Sequence, residues 1–300
     1  MIEHQTFISF KEYNDKENLH EIGGELMPYP SNPLVSVVTL TYNRASLISK
    51  AIKSVLSQTL KDWKMLIIDD GSTDHTMKTV EHFLKNDSRI YYYRIPKNIG
   101  LCHALNTALK MVDTKYMVQL DSDDWLEHTA LEKLLSSMEK ASEHVALAYS
   151  NHKVWKTIEK FKPVKQRSFT REQKYEFLCH PTVYPRFYRT DCLREVGGWD
   201  VHDKYEGRFM EDRRIQFKLI EHYDFLWIDE YLYHLNRYTD DRQSSYKNQH
   251  KYVELKKEFI EHYLKKWGNE YTPKFHLNEK GWLRTELIPN QKGLSDKSLK

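Results

Sequence analysis

The sequence predicts an α/β domain: a mostly parallel central sheet flanked by helices, with a C-terminal helical extension. Three observations carry that expectation. Short apolar, β-branched runs alternate with segments whose apolar residues recur at helical spacing. The connections between them are short, which favours right-handed crossovers and parallel strands. Each strand of the first half also ends in a polar cluster, and parallel sheets bind ligands at the carboxyl ends of their strands.

The elements follow in order. Leu34–Leu40 is a near-continuous apolar run and reads as a strand buried on both faces. Leu47, Ile48, Ala51, Ile52, Val55 and Leu56 then mark one face of a helix. Met65–Ile68 is a second buried strand, ending at Asp69-Asp70-Gly71-Ser72-Thr73-Asp74, and the next helix shows Met77, Val80, Phe83 and Leu84 on one side. Ile90–Ile95 is the third strand, ending at Pro96-Lys97-Asn98-Ile99-Gly100, before a helix over Leu101–Val112. Tyr116–Leu120 is the fourth, ending at Asp121-Ser122-Asp123-Asp124-Trp125. Glu127–Ala141 reads as a helix and Val145–Tyr149 as a short strand.

Beyond Asn151 the pattern loosens. His180–Arg189 reads as a strand near the site, Asp191–Val196 as a short helix and Gly197–Asp200 as a turn. Ile215, Leu219 and Ile220 give a helical stripe headed by Glu211 and Asp212, and Tyr246–Trp267 reads as an amphipathic helix. The tail past Pro289 is polar and is expected to be disordered.

Composition narrows the function. The net charge of +3 is only mildly basic and no Arg-rich stripe is present, so nucleic acid is not an expected partner. Cys102, Cys179 and Cys192 are far apart, which argues against a zinc site or a disulfide framework and for reduced thiols in a cytoplasm. No apolar run approaches the ~18 residues of a transmembrane helix, and the polar N-terminus does not read as a signal peptide. Docking on an anionic membrane is the lesser use of the amphipathic helix.

The polar clusters Thr41–Arg44, Asp69–Asp74, Lys97–Gly100 and Asp121–Asp124 should converge on one rim of the sheet. Acids crowded on a bend repel one another unless a cation joins them. A hard divalent ion such as Mg²⁺ or Mn²⁺ takes oxygen ligands and leaves room for phosphates. The competing reading is a solvated acidic turn that caps the following helix.

In this order and spacing, Val35–Arg44, Ser54–Thr59, Ile67–Asp74, Asn98-Ile99-Gly100 and Asp121–Asp124 resemble family 2 glycosyltransferases, over roughly Pro33 to Ser245. The resemblance implies the glycosyltransferase A fold, transfer with inversion, a UDP-sugar donor, Mn²⁺ or Mg²⁺, and a saccharide or glycoconjugate acceptor. It divides the chain into an N-terminal extension (1–33), a nucleotide-sugar half (34–150), an acceptor-side half (151–245) and a C-terminal helix and tail (246–300). The implied setting is bacterial polysaccharide or glycoconjugate synthesis, in the cytoplasm or at the inner face of a membrane.

The resemblance also implies roles. Thr41, Tyr42, Asn43 and Arg44 would meet the uracil and ribose. Asp70, with Asp69 as alternate, would accept from the uracil imide, while Asp74 reads as a helix cap. Asn98 and Gly100 match an Asn-x-Gly motif. Many relatives then carry Ala-Arg-Asn where this chain has Ala104-Leu105-Asn106, which leaves Lys97 or His103 as substitutes for the arginine. Asp121 or Asp123 would contact ribose or metal, and Asp124 would coordinate the metal. Trp125 is expected to pack at the start of the next helix. Trp199 and Asp200 would line the sugar and acceptor pocket with His180, although Trp199 also suits a core. Asp212 would be the general base and Glu211 its alternate or orienting neighbour, with a pKa raised by the nearby acids. His234, Arg237 or Arg242 would hold the metal-diphosphate end, His234 as a metal ligand. A nucleotidyltransferase would want a Gly-rich basic loop after the first strand, which this chain lacks. The remaining alternative is a catalytically inactive nucleotide-sugar-binding or scaffold protein. The oligomeric state is not assigned.

Overall fold

The computed structural model describes residues 33–238 and 246–290, so the N-terminal extension, Arg242 and the tail from 291 lie outside the described residues. In chain order the first half contains β1 (Val35–Thr41), α1 (Ile48–Leu56), β2 (Trp63–Asp69), α2 (Thr76–Leu84), β3 (Ile90–Arg94), α3 (Leu101–Met111), β4 (Tyr116–Gln119), β5 (Trp125–Leu126) and α4 (Ala130–Lys140). The second half contains β6 (Val145–Trp155), β7 (Phe161–Val164), α5 (Lys174–Cys179), β8 (Tyr184–Arg189), α6 (Thr190–Glu195), α7 (Glu211–Ile220), β9 (Asp224–Asn236), α8 (Gln249–Lys266), β10 (Tyr271–Leu277) and β11 (Leu283–Pro289).

The described residues form a nine-stranded sheet in the order β3-β2-β1-β4-β8-β6-β9-β5, with β7 paired to β6. β1 pairs in parallel with β2 and β4, β2 with β3, and β6 with β9. β8 enters antiparallel between β4 and β6, and β5 and β7 are antiparallel additions. Most strands therefore share one direction, as the sequence predicts, and the reversal is concentrated at β8.

Burial explains why the first half was readable. Ile48, Ala51, Ile52 and Val55 of α1 are buried with Val35, Val37 and Met65 on one sheet face, together with Leu131, Leu134 and Met138 of α4. Ala104, Leu105 and Ala108 of α3 are buried with Val38, Ile68 and Met117 on the other. A sheet covered on both faces demands strands that are apolar throughout.

The second half departs from the expectation in three places. β6 runs to Trp155 rather than stopping at Tyr149. β9 is a strand of 13 residues whose first half is only partly buried, so its sequence does not alternate cleanly. Residues 271–289 form the β10–β11 hairpin, whose side chains are mostly half-buried or exposed, leaving little hydrophobic signal. α8 belongs to the body of the domain, because Ile260, Tyr263 and Leu264 join the core around Phe217. Among the described residues no helix is long and apolar enough to cross a membrane.

The turn after β2 depends on Gly71. Its φ is +78°, and a Cβ there would come within 2.7 Å of the Asn98 backbone nitrogen. Gly71→Ala is therefore expected to cost about 2 kcal/mol of stability, measured by urea unfolding, whereas an unchanged midpoint would show that the two loops are not held this close.

Candidate functional site

A cleft of about 780 Å³ opens over the carboxyl ends of β1 and β4 and is walled by α7, α8 and the start of β11. It brings together Thr41, Tyr42, Arg44, Asp70, Asn98, Gly100, Asp121, Asp123, Asp124, His180, Glu211, Asp212 and Arg237. Asn43, Trp199, Asp200 and His234, also singled out from the sequence, do not line it.

At the β1–β3 end, two loops are tied by hydrogen bonds. The Asp70 backbone N–H donates to the Thr41 carbonyl at 2.9 Å. The Asp70 carboxylate accepts from the N–H groups of Ile99 and Gly100 at 2.8 and 3.0 Å. Burial raises the Asp70 pKa, and these two N–H groups work against the rise. Arg208 donates to the Asn98 Oδ1 at 2.7 Å and lies over Gly100, whose φ is +95°. Arg208 is thus the arginine beside this loop; Lys97 and His103 do not line the cleft. Asp69 turns away, accepting from the Ser72 N–H at 2.8 Å and from the Tyr92 hydroxyl. Asn43 clips the loops together, its Oδ1 accepting from the Thr73 N–H at 2.8 Å. Asp74, just ahead of α2, accepts from the Thr76 N–H at 2.9 Å.

The acidic bend sits in the middle of the cleft, and its acids are not equivalent. Asp121 Oδ1 accepts from Arg186 Nη2 at 2.6 Å. Arg186, on β8 opposite Gln119, is only 1% exposed. Asp124 is buried, with Oδ2 accepting from the Tyr233 hydroxyl at 2.8 Å and Oδ1 from the Asn236 N–H at 2.7 Å. Burial and the charges of Asp123 and Asp121 push its pKa well up. Both Asp124 oxygens are thus engaged in strapping the bend to β9, which sets it apart from Asp123, the other carboxylate of the bend expected to hold a metal. Asp123 is half-buried and opens on the cleft. Its pKa is raised by burial and by Asp121, against the pull of Arg44 and Arg237.

His234 is displaced from its expected role for a geometric reason. Its Nδ1 accepts from Trp155 Nε1 and its Nε2 lies against Glu127 Oε2, each at 3.0 Å, while its ring stacks on Trp125. Both ring nitrogens are used outside the cleft. Among the described residues no three His, Cys, Asp or Glu side chains are grouped as a metal site. The donor set that remains, Asp121 and Asp123 in one cleft, is all-oxygen. It fits a hard divalent ion that completes its shell with water and phosphate.

The other wall begins at the N-terminus of α7. Glu211 is half-buried, and Arg186 Nη1 lies 3.6 Å from its Oε1. Burial and then the Asp212 charge push the Glu211 carboxyl up to about 8, against the opposing effect of Arg186. Asp212 is half-buried, and its Oδ1 accepts from the Arg213 N–H at 2.7 Å. Tyr252 of α8 faces this pair, and burial and the two carboxylates hold its phenol well above its ordinary range. His180 lines the cleft in the neutral form, its pKa pushed down to about 4 by burial.

Trp199 belongs to the core. It is 2% exposed and set edge-on to Tyr188. Its backbone is clamped by Asn106, which accepts from the Trp199 N–H at 2.9 Å and donates to its carbonyl at 2.8 Å. Asp200 pairs with Lys218 at 3.0 Å. Neither lines the sugar pocket expected of them. The sequence reading missed Arg186, Tyr252 and the β11 wall. The signal for Arg186 was present: an arginine inside the aromatic strand Tyr184-Pro185-Arg186-Phe187-Tyr188 needs buried acids as partners.

Comparison with known proteins agrees with this layout. The sequence model of the family "Glycosyl transferase family 2" matches residues 36–197. The Bacillus subtilis glycosyltransferase TuaG, named for teichuronic acid biosynthesis, is 40% identical over 110 residues, 37% of this chain and 44% of that protein. An Escherichia coli chondroitin synthase is 39% identical over 108 residues, 36% of this chain and 16% of that one. The matched stretch thus spans less than half the length of these curated relatives. S. aureus TarS (residues 1–349), solved with UDP-GlcNAc, superposes with a TM-score of 0.57 at 19% identity, covering 70% of this chain and 60% of that one. The Pyrobaculum calidifontis mannosyltransferase PcManGT, solved with GDP-Man and Mn²⁺, gives 0.53 at 18% identity, covering 71% and 59%. These structural likenesses establish the glycosyltransferase A fold.

Two outcomes test the site's electrostatics. Arg186→Met strands Asp121 and Glu211 and is expected to cost about 4 kcal/mol of stability, readable by urea unfolding; a cost under about 1 kcal/mol would mean the guanidinium is not their shared counter-charge. Glu211 has a folded pKa above its unfolded value, so the native state binds the extra proton and stability falls as pH rises from about 4.5 toward 8. Glu211→Gln removes that term. Relative to the parent it should be more stable at pH 8 than at pH 5, and a pH-independent difference would contradict the raised pKa.

Proposed function

The chain belongs to glycosyl transferase family 2, and on that premise we propose that it moves a sugar from a UDP-sugar to an acceptor hydroxyl, with inversion and a divalent cation. The observation that carries the reading is a single guanidinium, Arg186, that holds Asp121 of the acidic bend and Glu211 of the α7 start in one cleft. It ties a carboxylate suited to the donor's metal to a carboxylate pair suited to proton transfer.

The nucleoside would lie against Thr41, Tyr42, Arg44, Asp70, Asn98 and Gly100, which share the β1–β3 end of the cleft. Backbone groups freed at strand ends suit a pyrimidine edge, and Arg44 suits phosphate. Asp121 and Asp123 would hold Mn²⁺ or Mg²⁺, and Arg237 faces them from beyond β9. When bound, the cation would neutralise charge on the departing diphosphate as a Lewis acid.

Asp212 is the proposed base. Its Oδ1 is oriented by the Arg213 N–H, which leaves Oδ2 to take the proton from the acceptor oxygen. That oxygen forms its bond to the anomeric carbon as the bond to the diphosphate breaks on the opposite face, and UDP leaves. Glu211, paired with Arg186, orients the base and shares its charge. Teichuronic acid and chondroitin in the relatives' names support a polysaccharide or glycoconjugate acceptor, and the UDP-GlcNAc complex of TarS is consistent with a UDP donor.

Asp212→Asn is expected to lower sugar transfer by about 10²–10⁴-fold while UDP affinity stays within twofold. Transfer at the parental rate would remove Asp212 as the base. Parent protein that turns over GDP-sugars and not UDP-sugars would overturn the donor assignment.

A further inference from the structure

Three cations line the wall of the cleft formed by α7, α8 and β11. Arg213 comes from α7, Lys256 from α8 and Arg284 from β11, and all three line the cavity. Among the described residues, Arg213 and Lys256 donate to backbone carbonyls, which are neutral. Arg213 Nη2 donates to the Phe177 carbonyl at 2.9 Å, and Lys256 Nζ donates to the Leu283 carbonyl at 3.1 Å. Among the described residues no carboxylate lies within ion-pair distance of the three. Asp212 is the carboxylate whose field reaches Arg213. Burial, with the charges of Arg213 and Arg284, pulls the Lys256 ammonium down to about 8. Carbonyls satisfy donors but bring no net charge, so the group remains short of negative charge.

Other cations act on the acidic bend. Arg44 and Arg237 are the cations that act on Asp123, whereas Lys256 responds to Arg213, Cys179 and Arg284. Trp282, in the turn before β11, adds an aromatic wall beside them.

We propose that Arg213, Lys256 and Arg284 form an oxyanion subsite that binds an acidic group, phosphate or carboxylate, on the acceptor. The proposal rests on the transferase reading above, in which the acceptor hydroxyl meets Asp212 next to Arg213. An acidic group held by the three cations would supply the missing negative charge and fix the acceptor's orientation, with its reacting hydroxyl toward Asp212. The acceptor class is then an anionic saccharide or a phosphate-bearing glycoconjugate rather than a neutral glycan.

The test is calorimetric titration of the protein saturated with UDP and Mn²⁺. Glycerol 3-phosphate and methyl β-D-glucuronide are the acidic probes, and glycerol and methyl β-D-glucoside are their neutral counterparts. At least one acidic probe should bind about tenfold more tightly than its neutral counterpart, the size of one charge-assisted contact. Which probe gains identifies phosphate or carboxylate. Arg284→Ala, at an exposed position, and the volume-conserving Lys256→Met should each weaken that probe about tenfold and leave UDP affinity within twofold. Equal affinity for acidic and neutral probes overturns the proposal. So does loss of UDP affinity in both variants, which would make the cations part of the donor site. Failure of the parent to bind UDP would instead sink the donor reading; the acidic probes are then titrated into unliganded protein, where the cation group predicts the same preference.

Discussion

The Arg186 guanidinium is the interaction on which the cleft depends. A buried charge is costly unless opposite charges meet it with good geometry, and here one cation is met by Asp121 from the end of β4 and Glu211 from the start of α7. The two acids come from opposite halves of the chain. Asp121 supplies the close counter-charge, and Glu211, whose carboxyl is pushed up to about 8 by burial, sits 3.6 Å from the same buried group. What could have been two loosely related loops becomes one site with a fixed separation between the acidic bend and the start of α7.

Topology delivers these groups to one place. β1 is flanked by β2 on one side and β4 on the other, so the chain steps outward to β3 before returning. That reversal opens a crevice at the strands' carboxyl ends. The nucleotide-side loops and the acidic bend fall on its rim. β8 then enters antiparallel beside β4, which brings Arg186 opposite Gln119, immediately before the bend. The same reversal leads through α6 into the segment ending at α7, whose N-terminus presents Glu211 and Asp212. Burial, and after it the charges of neighbouring carboxylates, raises the pKa values of Asp123, Asp124 and Glu211.

Most of the first half was legible because burial on both faces leaves a continuous apolar run for each strand and an amphipathic stripe for each helix. The polar residues at the strand ends were legible for the same reason, since the direction of a parallel sheet fixes which end they occupy. Individual side-chain roles were less legible. Tyr233 reaches Asp124 while its neighbour His234 points to the other face and is spent on Trp155 and Glu127. Adjacent residues of a strand face opposite ways, and nothing in the local sequence fixes that register. Trp199 follows two glycines with positive φ that turn it into the core, which a Gly-Gly-Trp-Asp string alone does not reveal. The β10–β11 hairpin closes the cleft with few buried residues, so hydrophobic pattern could not announce it.

With the acidic bend neutralised on one side by Arg186, Asp123 is the carboxylate proposed to hold a cation for a nucleoside diphosphate. The decisive measurement is calorimetry of UDP binding, with and without Mn²⁺, on the parent and on Asp123→Asn. Mn²⁺ should tighten UDP binding in the parent, and the gain should be lost in the variant. UDP binding of equal affinity with and without the metal, in parent and variant alike, would contradict that role.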